Sequence, residues 1–312
     1  MTALEKAIIA TLSYFDIFDY PLTAMEIWKW LYVGGSQQTT DYGLQQESIT
    51  DVMRVLETSE WLKSRVGELD GFYFLKGRQQ IVDIRQQRYL WAEDKFHRAL
   101  KIIRWLRWVP FVRMIGVCNT LAYNNSRRGG DIDLFIITGR HRTWQVRFWV
   151  NSLLKILKLR PSLGNTQDKI CSSFFVDIDH VNLEQLAIRD DIYLPYWVTQ
   201  VYPVYDEGAY TTFVQSNEWV RLVLPHWLPI EPVGRRQVRA YRWVKRLKEL
   251  FFFFWPESLF RSWQEKIMPE NLRAMANKDT RVVVNDSVLK FHDTDRRQSF
   301  LEQWRERKEQ VL

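Results

Sequence analysis

Cysteine is nearly absent from this chain: Cys118 and Cys171 are the only two in 312 residues, and no metal-ligand spacing joins them. Both lie in apolar stretches, where a small thiol is usually buried. A disulfide framework and a zinc site are therefore not expected, which fits a reducing compartment and a cytoplasmic location. No window approaches about eighteen uncharged apolar residues, so no spanning helix is expected. The first residues read as a helix with Glu5 early and no basic stretch before it, so no signal peptide is expected. There is no Walker loop and no dinucleotide fingerprint. His141 and His180 stand in no Ser-His-Asp order and no His-x-x-x-His spacing, which argues against a serine hydrolase or a zinc enzyme. Internal repeats are absent too.

What the chain has in excess is aromatic residues and positive charge. Fifteen Trp, thirteen Tyr and eighteen Phe point first to heavy cores and packed helices, and secondly to base stacking or a membrane surface. The net charge of +7 and a pI near 9.3 favour anionic partners without selecting among nucleotides, nucleic acid and acidic lipid. An apolar content of 46% fills ordinary cores, and the length allows two domains and a small third.

Residues 1–80 read as three helices and two strands. Leu4, Ile8, Leu12 and Phe15 recur at helical spacing, Pro21 closes an Asp-rich connector, and Thr23 caps a second helix over 23–32. A polar loop over 34–46 follows. Ser48 then caps a third helix with Ile49, Val52, Met53 and Leu56 facing inward. Strands are expected over 61–66 and 72–75, around a turn at 68–71. This is the order of a winged helix. The exposed positions of its third helix include Asp51, Arg54, Glu57 and Glu60, more acidic than basic, which favours protein interaction or packing over DNA binding. Lys63, Arg65 and Lys76 keep DNA binding as the alternative.

A linker helix is expected over 81–110, ended by Pro110. Beyond it, strands over 112–117 and 131–138, a helix over 141–159 and a strand over 170–176 suit a small α/β sheet domain spanning 111–215, with helices around 183–187 and 193–201. The remainder, 216–312, reads as a basic helical region, which makes the whole chain α+β and multidomain. Residues 235–248 hold seven basic residues and no acidic one, with Arg235, Arg239, Arg242 and Arg246 near one helical face. The plain reading is a solvated basic face; the functional alternatives are an RNA-binding surface or an interfacial membrane helix. A hairpin around Asn285–Asp286 and a charged helix from Asp295 complete the chain.

The constellation that carries chemistry is Asp131 and Asp133. In a strand alternate side chains share a face, so the two carboxylates point the same way while Ile132 and Leu134 point into the core. Such a pair can ligate a hard divalent ion. Upstream runs Ile115–Gly116–Val117–Cys118–Asn119–Thr120, and a polar loop ending in Gly129–Gly130 leads into the pair.

This layout resembles the DNA polymerase β nucleotidyltransferase superfamily, in which a strand ends in a Gly–Ser pair opening a helix and an Asp-x-Asp strand follows. Asn119–Thr120 stands here where Gly–Ser is expected; Gly116–Val117 is the other register and lacks the hydroxyl. The resemblance implies a nucleoside triphosphate substrate, Mg²⁺ or Mn²⁺ held by Asp131 and Asp133, and Asn119, Thr120 and Arg128 at the phosphates. Arg127, Arg142 and Arg147 are further candidates for the phosphates. It also implies a third carboxylate on a neighbouring strand that helps hold the metal and acts as base: Asp177 first, Asp179 second, with Ser173 in that place if the registers match at the strand centre. The segments YFDIFDYPLT at 14–23 and LKFHDTDRR at 289–297 further resemble bacterial proteins that join a winged helix to such a core. The reaction implied is transfer of a nucleoside monophosphate from a nucleoside triphosphate to RNA, protein or a small molecule, with the basic C-terminal region as a surface for RNA or a protein acceptor. The rivals are a nucleotide- or RNA-binding module without turnover, and a winged-helix regulator carrying a sensor domain.

Overall fold

A computed structural model describes residues 1–34, 47–162 and 164–312, so the loop expected over 34–46 lies, but for Gly34, outside the described residues. The first three helices each begin on a cap that the sequence encodes. Thr2, Thr23 and Ser48 accept from the backbone three residues on, and Glu5, Glu26 and Asp51 answer to the cap's own N–H. They start α1 (Ala3–Asp16), α2 (Ala24–Lys29) and α3 (Ile49–Thr58). The third helix buries Val52 and Leu56, but Met53, expected to face inward, is exposed. Ser59 caps a further turn, α4 (Glu60–Lys63), so the strand expected over 61–66 gives way to a helical turn and β1 (Val66–Leu69). It pairs with β2 (Phe72–Leu75) across Asp70–Gly71, both at positive φ, the two-residue turn that suits strand twist.

The long helix α5 (Ile81–Leu106) leads to the main sheet. In chain order come β3 (Val112–Val117), α6 (Asn119–Ala122), β4 (Ile132–Thr138), α7 (Thr143–Ile156), β5 (Ile170–Asp177), α8 (Tyr193–Gln200), β6 (Tyr202–Asp206) and α9 (Ala209–Ser216). The rest is α10 (Arg242–Phe253), α11 (Glu257–Lys266), α12 (Glu270–Met275), β7 (Val282–Val284), β8 (Val288–Phe291) and α13 (Arg297–Val311). The six strands lie in the order β6-β3-β4-β5-β8-β7. Among the described residues only β4 and β5 pair in parallel, and α7 connects them. The stretch 216–312 is thus no helical appendage, since its hairpin extends the sheet beside β5.

Both sheet faces are covered. Phe135, Ile137, Phe174 and Val176 pack with α1, α8, α9 and α13, whereas Ile132, Leu134, Ile136 and Phe175 pack with α5 and α7. Helix α1 is enclosed by the rest of the chain: Tyr14 stacks on Tyr196 at 4.0 Å, and Trp304 donates to the Ala10 carbonyl at 2.9 Å. The expected basic face over 235–248 is not a single helical surface, because α10 begins only at Arg242. Arg236 is buried against Glu93, and Lys245 against Glu207. No helix among the described residues is long and apolar enough to cross a membrane.

Candidate functional site

Strand alternation places Asp133 on the sheet face that α1, α8 and α13 cover, with Phe135 and Ile137 beyond it. In the parallel register Cys171 of β5 stands opposite Asp133. The carboxylates of Asp131 and Asp133 and the Cys171 sulfur lie within 4.8 Å of one another. The turn before Asp131 is pinned from α5: Lys95 donates to the Gly130 carbonyl and pairs with Asp168 at 2.8 Å, and Asp168 N–H donates to the same carbonyl.

The two carboxylates are poorly compensated. Loss of water raises the pKa of Asp133, and the charge of Asp131 raises it further; hydrogen bonds from the Asn119 amide and the Cys171 thiol oppose this and do not cancel it. Loss of water likewise raises Asp131, with Lys95 acting weakly against it. The Cys171 thiol is pushed up to about 12 by burial and by the carboxylates, so it is neutral and acts as a hydrogen-bond partner rather than a thiolate. Two hard oxygen donors with uncancelled charge fit a divalent cation of the Mg²⁺ or Mn²⁺ type. A protonated thiol does not add a ligand to such an ion.

Beside Asp133 opens a cavity of about 330 Å³, in the size range of small-molecule sites. One wall holds Asn119, Thr120, Tyr193 and Trp197; the other holds Lys290, His292, Arg296 and Arg297. Asn119 sits at φ +58°, a left-handed conformation that Asn tolerates. Its Oδ1 accepts from Tyr193 OH at 3.1 Å and Trp197 Nε1 at 2.9 Å, which turns its amide toward Asp133. Opposite, Ser173 Oγ and His292 Nε2 are 2.8 Å apart. Burial, helped by Lys290, holds His292 down to about 4, so the ring is neutral. Burial also lowers Lys290 to about 8, aided by Arg297. Arg297 is itself fixed by Asp295 at 2.6 Å and Asp191 at 3.2 Å, whereas Arg296 is exposed on the rim. The arrangement sets Asp133, with Asp131 beside it, in one cavity with Lys290, Arg296 and the paired Arg297.

No protein-family model, curated protein or solved structure matches this chain.

Among the residues expected in the site, Asp131, Asp133, Asn119 and Thr120 come together, and others do not. Asp177 pairs with Thr138, five residues along β4 from Asp133, about 16 Å at the usual strand rise. A register shift between Asp133 and Phe135 also reverses the alternation of β5. Ser173 and Phe174 therefore both face the cavity side, and Asp177 falls on the opposite face with Phe175. There it accepts from the N–H groups of His141 and Asp179. Asp179 pairs with Arg140 at the same far end. Arg142 donates to the Phe253 and Trp255 carbonyls, and Arg147 to Gln264. Arg127 and Arg128 are exposed and do not line the cavity. Gly116, of the other register, lies within β3 between Phe135 and Pro203 of the neighbouring strands and does not line the cavity. A larger hollow of about 840 Å³ occupies the far end, but its Arg113 is engaged by Glu207 and Glu249.

The sequence reading missed Cys171 as the neighbour of the pair and the whole opposite wall. A signal for that wall was present, because Lys290, His292, Arg296 and Arg297 all belong to the segment LKFHDTDRR. Nothing in its spacing tied it to Asp131 and Asp133.

Proposed function

We propose that the chain is a metal-dependent nucleotidyltransferase of the DNA polymerase β type, moving a nucleoside monophosphate from a nucleoside triphosphate to an acceptor hydroxyl on RNA, protein or a small molecule. The observation that carries this reading is that Asp133, with the Asp131 carboxylate beside it, lines the cavity that Asn119, Thr120 and residues of the 290–297 segment also line. A divalent ion held there would supply positive charge to the triphosphate and polarise its phosphorus. Asp131 and Asp133 hold that ion, Thr120 offers a hydroxyl to phosphate oxygens, and Arg296 and Lys290 offset phosphate charge from the facing wall. Asn119 positions Asp133 through its amide. In this reading the first eighty residues form a winged helix used for packing, supported by the burial of α1.

A second reading, a nucleotide-binding module without turnover, is favoured by the β5 residue opposite Asp133 being Cys171, so that among the described residues no third carboxylate joins the pair. Labelled nucleoside triphosphates with Mg²⁺ or Mn²⁺, offered to the chain and to an Asp131→Ala/Asp133→Ala variant, separate these readings. Metal-dependent label transfer by the wild type alone is the expected result. Transfer that persists in the double variant sinks the assignment. Saturable, metal-dependent binding with no transfer to any acceptor selects the second reading.

A further inference from the structure

Helix α10 is inverted relative to an ordinary surface helix. Trp243, Leu247, Leu250 and Phe254, at i, i+4, i+7 and i+11, make one stripe, and all four are exposed, Trp243 to 71% and Phe254 to 83%. Two of its polar residues instead face the protein: Lys245 donates to the Val112 carbonyl, and Glu249 grips Arg113 and the Phe111 N–H. The ridge continues through Phe251 and Trp255 onto α11, where Leu259, Trp263 and Ile267 are exposed at i, i+4 and i+8. Arg142 ties the turn between the helices by donating to the Phe253 and Trp255 carbonyls, so the ridge is held in place. A contiguous apolar surface of this kind marks an interaction site.

Among the described residues, unpaired basic ones stand around the ridge. Arg239, Arg246, Lys248 and Lys266 are exposed near it. The acids of the same helices are engaged: Glu249 by Arg113, Glu257 by the Trp144 and Gln145 N–H groups, and Glu265 by Arg261 in an exposed pair. We propose that the α10–α11 ridge seats the protein on an anionic lipid surface, its Trp, Phe and Leu side chains entering the interface and its Arg and Lys side chains meeting lipid phosphates. Leu247, Leu250, Leu259 and Ile267 have no π-face on which a base can stack, which disfavours single-stranded RNA as the occupant. A second copy related by a two-fold axis would bring the same cations against one another.

The test is co-flotation of the full chain with phosphatidylcholine vesicles, with and without phosphatidylglycerol, beside Leu250→Ser/Phe254→Ser and Arg246→Glu variants. All three positions are exposed, and unchanged melting temperatures establish that the variants fold. The wild type should float with the anionic vesicles, and its tryptophan emission should shift to the blue. The double apolar variant should lose about tenfold or more of that binding, and Arg246→Glu severalfold. Salt near 1 M, where the Debye length is about 3 Å, should weaken wild-type binding severalfold. Equal flotation with neutral and anionic vesicles, or binding unchanged in the double variant, overturns the proposal. A dimer or an RNA complex abolished by the double variant, with no vesicle binding by the wild type, also overturns it and assigns the ridge to that partner.

Discussion

At Asp133 a carboxylate has lost its water beside a second carboxylate, and two hydrogen bonds do not make up the difference. A ligand that supplies positive charge there binds the folded chain and not the unfolded one. Mn²⁺ at about 100 times its dissociation constant should therefore stabilise the wild type by about 2.7 kcal/mol. Asp133→Asn should abolish that gain while leaving the metal-free protein at least as stable, which thermal melts with and without Mn²⁺ measure; equal metal-induced shifts in both proteins would contradict the site. Glu257 offers a separate test away from the pair. Its Oε1 accepts from the Trp144 and Gln145 N–H groups, its Oε2 is buried without a hydrogen-bond partner, and burial pushes its pKa up to about 7. The folded chain thus keeps a proton that the unfolded chain has released. Its stabilising contribution is complete below about pH 4.5, falls as pH rises to about 7, and is then lower by about 2 kcal/mol after discounting for partial exposure. Glu257→Gln keeps an acceptor and cannot titrate, so urea melts at about pH 5 and about pH 8 should show the wild type losing that much relative to the variant; parallel pH profiles would refute the assignment. Residues differ in how well they could be read ahead of the structure. Asp131 and Asp133 were legible because Asp131 directly precedes β4 and a spacing of two at its start is enough to bring the carboxylates together, whereas Asp177 was not, because a register shift on β5 leaves no mark in residue type.

Elements with local causes were the legible ones. The capping boxes at Thr2, Thr23 and Ser48 start helices where their side chains say they should, and the β7–β8 hairpin turns at Asn285–Asp286 as its residues indicate. What could not be read was the partner of that hairpin, since pairing β8 with β5 joins residues more than a hundred positions apart and leaves no local pattern. The β1–β2 turn shows how far a local cause reaches. Gly71 sits at φ +77° with open space where a Cβ would lie, so Gly71→Ala meets no clash and only the left-handed backbone penalty. The expected cost is about 1 kcal/mol in chemical denaturation. Asp70→Asn, at φ +53°, should change stability by less than about 0.5 kcal/mol, because Asn accepts that conformation readily. A neutral Gly71→Ala would mean that the turn relaxes to another type.

For the whole molecule, the question is whether the first eighty residues can stand apart from the sheet. Burial along α1 answers it: Leu4 and Glu5, then every residue from Ala7 to Asp16, are buried, so no side of that helix is left for solvent. A helix covered only by its own small unit would keep a polar face. Here the covering comes from Tyr196 of α8, which stacks on Tyr14, from Trp304 of α13, which donates to Ala10, and from Arg307, which pairs with Asp16 at 2.8 Å. Arg88 of α5 ties Asp19 and the Phe18 carbonyl to Asn125, just beyond the strand that feeds the cavity. The same helix α13 begins at Arg297 on the cavity wall, so the packing of α1 and the shape of the site depend on one element. Two consequences follow for experiment. A fragment of residues 1–80 should show no cooperative thermal transition, because it would expose Tyr14, Phe15 and Ala10 that the rest of the chain now covers. Trp304→Ala should lower the stability of the full chain by about 3 kcal/mol and shift its single unfolding transition as a whole. A fragment that melts cooperatively, or a full chain that melts in two steps with only the first moved by Trp304→Ala, would show instead that the N-terminal unit folds by itself and merely rests on the sheet.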